Sequence, residues 1–162
     1  MSTPASIAKH PIHPMLVVLP MGLWVFSLIA DLIAAAGWTT PWNDLAMYTI
    51  GGGVGGAVIA AAPGLIDFFF LTDQHTRKIG LYHLIVNLSA TAIFAFNLYI
   101  RATSGPGAFP LALSIAGIAL IGIGGWLGGE LVYVRGVAVE PPKRSGGARD
   151  RDAAPKRLRR IV

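Results

Sequence analysis

Four apolar runs, at about 14–37, 45–71, 77–100 and 110–134, take up most of this 162-residue chain. Each is close to the roughly twenty residues that a helix needs to cross the hydrocarbon core of a bilayer. At that depth no water meets unpaired backbone N–H and C=O groups, so each segment must be a helix or part of a closed barrel. Composition agrees. Only 13% of residues are charged and the mean hydropathy is +0.61, whereas an average soluble domain is about a quarter charged. An ordinary soluble domain is excluded, and the expected fold is all-α: an integral membrane bundle of four helices within residues 1–135.

The breaks between the runs are short, at Trp38–Asp44, Thr72–Thr76 and Arg101–Phe109. Short connections make successive helices antiparallel neighbours, which predicts an up-down-up-down order. Lys9, Arg77, Lys78 and Arg135 then fall at one end with both termini, and Arg101 stands alone at the other. The positive-inside rule places both termini and the middle loop in the cytoplasm. Trp38 and Trp42 fit the aromatic belt at the opposite interface.

Charge is unevenly placed. Acidic and basic residues balance over 1–135, so the whole formal net charge of +5 sits in residues 136–162. That segment is rich in Pro, Gly and charge and has no apolar periodicity. It reads as a disordered cytoplasmic tail whose basic residues lie against anionic lipid head groups. The sequence pI near 10.0 is a property of this tail and does not point to nucleic acid. There is no cysteine, which excludes disulfides, thiolate zinc sites, iron–sulfur clusters on this chain and a cysteine nucleophile. Any metal or cofactor must rest on His, Asp, Glu or Met.

Charged or imidazole groups inside a span cost several kcal/mol unless paired or hydrated, which makes each a candidate for function. The first span opens with His10-Pro11-Ile12-His13-Pro14 and carries Asp31. The second carries Asp67, the third His83, Asn87 and Asn97, and the fourth Glu130. At a rise of 1.5 Å per residue, His83 lies roughly 10 Å inside the cytoplasmic end of its helix, and Asp67 and Glu130 on the order of 6–9 Å inside theirs. His10 and His13 stand at the same mouth, with the chain direction fixed by the proline after each. Asp31 is the exception, near the outer end and expected to face Asn97.

Two chemistries fit these groups. His13 and His83 can be axial ligands of a b-type haem held between helices, with Asn87 beside them. Alternatively His10, His13, His83, Asp67 and Glu130 supply a mixed imidazole–carboxylate site for a transition-metal ion such as zinc, iron, nickel or copper. The spacing does not choose between them, and a proton relay uses the same residue types. Glycines concentrate at Gly51–Gly56 and Gly64 on helix two, and at Gly117 to Gly129 on helix four. Small-xxx-small pairs such as Gly124/Gly128 let helices approach closely, or leave room for a flat cofactor. Pro20 and Pro63 are expected to kink their helices. No phosphate-cradling loop is present, since Gly51–Gly56 lacks a following Lys-Ser/Thr, and no serine sits in a nucleophile elbow.

The run His-Pro-Ile-His-Pro-Met-Leu-Val-Val-Leu-Pro (10–20) resembles the opening signature of a bacterial four-helix membrane family, domain of unknown function 2231. Gly64-Leu-Ile-Asp67, the stretch from Arg77 to His83 and Asn87, and Gly128-Gly-Glu-Leu-Val-Tyr133 are similar to its other recurrent elements. Together they span about 10–138. The resemblance implies a plasma-membrane protein. Some members carry an attached Rieske-type iron–sulfur domain, which associates the family with electron transfer. The chain departs from the family pattern at Val134-Arg135-Gly136, where relatives often place a His before the Gly. Two functions are therefore expected of this sequence. One is a haem- or metal-binding redox module that works with a redox partner protein. The other is a non-catalytic accessory or scaffold subunit of a larger membrane complex.

Overall fold

Pro11 and Pro14 pre-set the backbone at the entry to the first span, where a missing N–H costs nothing. The computed structural model describes residues 3–139, so the basic tail expected from 136 onward lies almost wholly outside the described residues. Helix α1 (Ile12–Leu16) is separated from α2 (Val18–Ala35) by a turn at Val17. Pro20 explains the interruption, because it cannot donate to the carbonyl of Leu16 one turn back. The expected kink thus appears one turn before the proline. Helix α3 spans Thr39–Phe69, but Thr40 is extended at φ −107°, ψ 130°, so regular helix runs on from Pro41. This is earlier than the expected start at 45. Pro63 lies inside α3.

Asp73 caps α4 (Gln74–Ser104): its carboxylate accepts from the Thr76 N–H at 2.8 Å and from Thr76 Oγ1 at 2.6 Å. Gly105, at φ 82°, ends the helix in a left-handed conformation that glycine adopts without strain. Arg101, expected in a loop, is therefore helical. Helix α5 (Ala108–Gly129) continues into a π-helical turn, Glu130–Val134. Among the described residues, four helical stretches are long and apolar enough to cross a membrane: Ile12–Ala35, Thr39–Phe69, Gln74–Ser104 and Ala108–Val134.

Close approaches show how they pack. A Cβ on Gly52 would meet Leu23, and one on Gly64 would meet His13. Likewise Gly117 faces Phe94, and Gly128 faces His83. In both pairs the numbers rise on one helix as they fall on the other, so α1/α2 is antiparallel to α3 and α4 to α5. The two hairpins join over Trp24 and Phe94, stacked at 4.4 Å between ring centroids with planes 8° apart. Ile50, Ala90 and Ile121 complete this small core. Large side chains such as Val25, Ile29, Ile59, Ile85 and Ile123 remain exposed on the outer faces. That inversion of a soluble protein's pattern suits a surface bathed in lipid.

One end of the bundle is tied by charge. Arg101 Nη2 donates to both oxygens of Asp31 at 2.7 Å, and Ser114 Oγ donates to Asp31 Oδ2 at 2.7 Å. Asn97 accepts from Arg101 Nε at 2.9 Å and donates to Ser114 Oγ at 2.9 Å and to the Pro110 carbonyl at 3.0 Å. All four side chains are buried. Asp31 thus meets Asn97 through Arg101. The other end is covered by a two-stranded ribbon, β1 (Ser6–Ile7) and β2 (His10–Pro11), whose turn places Ala8 and Lys9 at positive φ. Ala5, just before it, donates its N–H to Asp67 Oδ1 at 3.0 Å.

Candidate functional site

At the ribbon end, His13 on α1 and His83 on α4 stand with ring centroids 6.2 Å apart and planes at 87°. Both rings are anchored in the same way. His13 Nδ1–H donates to the carbonyl of Ala60 on α3 at 2.8 Å, and His83 Nδ1–H donates to the carbonyl of Gly124 on α5 at 2.9 Å. A carbonyl oxygen only accepts, so Nδ1 carries the proton in each ring and the neutral imidazole keeps a lone pair on Nε2. The two imidazoles thereby tie the first span to the second and the third to the fourth.

Local sequence makes both anchors possible. Pro63 removes the hydrogen bond to the Ile59 carbonyl, while the backbone there keeps helical angles, without the break seen at Thr40. The Ala60 carbonyl, one residue on, takes His13 as a donor. A Cβ at Gly64 would stand 2.6 Å from His13 Nδ1, one at Gly128 3.1 Å from His83 Cε1, and one at Gly124 2.8 Å from Asn87. These glycines are seats for polar side chains, a more specific role than close helix packing. Asn87 Nδ2 is 3.3 and 3.4 Å from the two ring nitrogens of His83 and donates to the His83 carbonyl at 2.7 Å. Being nearly equidistant from both nitrogens, it lies across the ring and not on the Nε2 lone pair.

The pair borders a cavity of about 360 Å³ with largely apolar walls, including Trp24, Leu84 and Ile121. Asn87 and Asp67 line it too, and Thr3, Val137 and Ala138 close it at the ribbon end. Of the residues expected to hold a cofactor or metal, the structure therefore gathers His13, His83, Asn87 and Asp67 around one space. It does not bring in the other two. His10 is exposed, its Nδ1–H donating to the Ala8 carbonyl at 2.9 Å. Glu130 accepts from Arg135 Nε at 3.2 Å, in a half-exposed pair. Among the described residues, no three of His, Asp and Glu stand close enough to enclose an ion.

Sequence reasoning missed three features. The seating of each imidazole on a glycine was one, although Gly64 and Gly128 were visible as glycines on facing helices. Arg101 was another, read as a loop cation, yet the i, i+4 spacing of Asn97 and Arg101 marks a shared helix face. The ribbon was the third, and Ala8-Lys9 carries none of the Asn-Gly or Asp-Gly chemistry that announces such a turn.

The model of a family described as a predicted membrane protein, DUF2231, matches residues 9–141, in agreement with the resemblance read from the His-Pro pair. No curated protein and no solved structure matches the chain.

Proposed function

The chain belongs to the DUF2231 family of predicted membrane proteins, and from the chemistry of its paired imidazoles we propose that it is a redox module holding a b-type haem between His13 and His83. One observation carries this reading: two Nδ1-anchored rings with centroids 6.2 Å apart. Both rings would hold the haem iron through Nε2, the nitrogen left without a proton. Anchoring Nδ1–H on a carbonyl orients a ligating imidazole and raises its basicity. Among the described residues two anchored imidazoles border the cavity and no third joins them, which favours an iron bringing its own nitrogens over a bare ion that needs four or more protein donors. A bare-ion site that included His10 and Glu130 requires both side chains to leave their present partners.

When bound, haem supplies reversible one-electron chemistry. The chain's residues do the rest. Gly64 and Gly128 let the imidazoles lie against helix backbones, Asn87 limits rotation of the His83 ring, and apolar walls keep water from the site. The end bearing the ribbon faces the cytoplasm of a bacterial plasma membrane in this proposal, with the basic tail on anionic lipid. Titrating apoprotein with haemin in neutral detergent tests the reading. Saturation at a single haem per chain supports it. Stoichiometric iron, nickel or copper without haem would replace the haem by an ion, whereas zinc, which has no redox chemistry, or no haem and no metal at all, would end the redox reading.

A second reading, an accessory subunit of a larger membrane complex, is favoured by Gly22, Gly55 and Gly122, which face nothing within 4 Å. Such open small-residue faces admit a neighbouring helix. It predicts a co-purifying partner that Gly55→Leu removes.

A further inference from the structure

We propose that the groove at the turn between α3 and α4 binds the phosphate of a membrane phospholipid, held by Arg77 and Lys78. The groove, of about 790 Å³, is bordered by Phe68, Asp73, Gln74, Arg77, Lys78 and Leu81. It lies where the chain leaves one span and enters the next, beside Phe69 and Phe70, which are 64% and 65% exposed. This is the level at which lipid head groups meet the apolar surface of a bundle.

Both cations are held over aromatic faces. The Arg77 guanidinium stands 5.8 Å from the centre of the Phe68 ring, and the Lys78 ammonium 6.0 Å from that of Tyr82. Ring contacts of this kind orient a cation without neutralising it. Among the described residues neither forms an ion pair; the pairs present are Arg101–Asp31 and Arg135–Glu130. Asp73, the nearest carboxylate in sequence, is spent on the N–H and hydroxyl of Thr76. That cap also means the site rests on side chains and not on the helix terminus. Two adjacent positive charges, neither of them paired to a carboxylate among the described residues, suit a phosphodiester, and Leu81 and Tyr82, 43% and 49% exposed, offer apolar surface below it for acyl chains. The apolar floor selects a lipid over free phosphate. The proposal does not depend on haem.

The test measures retention of phosphatidylglycerol and phosphatidylcholine by the full-length protein in neutral detergent, with Arg157, Arg159 and Arg160→Gln as a comparison for charge in the tail. The double variant Arg77→Gln/Lys78→Gln is expected to lose phosphatidylglycerol on the order of tenfold, as two interfacial cations allow. Phosphatidylcholine retention and the thermal midpoint in phosphatidylcholine should not change, since both side chains are exposed. Undiminished phosphatidylglycerol in the double variant, with loss in the tail variant, would overturn the proposal. So would a site that takes millimolar inorganic phosphate but retains no lipid.

Discussion

Arg101 reaches across 70 positions of sequence to hold both carboxylate oxygens of Asp31 at 2.7 Å. With Asn97 and Ser114 it forms a buried polar cluster in which every buried side-chain nitrogen and oxygen has a partner. The cluster joins α2, α4 and α5 at the end of the bundle opposite the imidazole pair.

A charge left alone in this setting is expensive. Arg101→Ala strands the Asp31 carboxylate and should cost about 3–5 kcal/mol, whereas Asp31→Leu with Arg101→Leu should recover most of that loss. Unfolding midpoints in detergent check this. A double variant as unstable as Arg101→Ala would show that the helices depend on the ion pair itself.

Glycine seats give a second expectation. Gly64→Ala places a methyl group 2.6 Å from His13 Nδ1, so it should drive the ring off the Ala60 carbonyl and cost about 1–3 kcal/mol in overpacking. Gly55→Ala, whose new Cβ meets nothing within 4 Å, should be tolerated. Haem affinity and thermal stability of the two variants should diverge. Equal behaviour would mean that the glycines serve general helix packing.

The start of α4 should loosen in acid. Hydrogen bonds from the Thr76 hydroxyl and N–H hold the Asp73 carboxyl below its ordinary value of 3.8. A depressed folded pKa stabilises the capped turn above the unfolded value, and that contribution disappears as pH falls through the folded one. Amide exchange at Thr76 and Arg77 should therefore rise below about pH 4. Asp73→Asn, which still caps but does not titrate, should remove the pH dependence. An unchanged acid response in Asp73→Asn would assign the effect to another group.

Much of this architecture is legible in the sequence because a bilayer imposes one crude rule, length of apolar run, that four segments obey. Helix ends are less so. Arg101 looked like a loop residue because its partner Asp31 is distant in sequence, and only that pairing lets a guanidinium remain inside a span. His13, His83 and Asn87 were recognisable as misfits in apolar helices. What they touch was not, since carbonyls of Ala60 and Gly124 leave no trace in side-chain chemistry. His10 shares its motif with His13 but lies on the ribbon, where the positive-φ turn at Ala8 and Lys9 directs it to its own backbone.

Absorption spectra of the detergent-purified, full-length protein, air-oxidised and then reduced with dithionite, test the central claim most directly. The wild type is expected to show a Soret band with sharpened bands on reduction. The same bands are expected in His10→Ala and Glu130→Gln, whose side chains are engaged elsewhere, and their loss in His13→Ala and His83→Ala. Protein made with ample haem that shows no such bands, or that keeps them when both His13 and His83 are replaced, would contradict it.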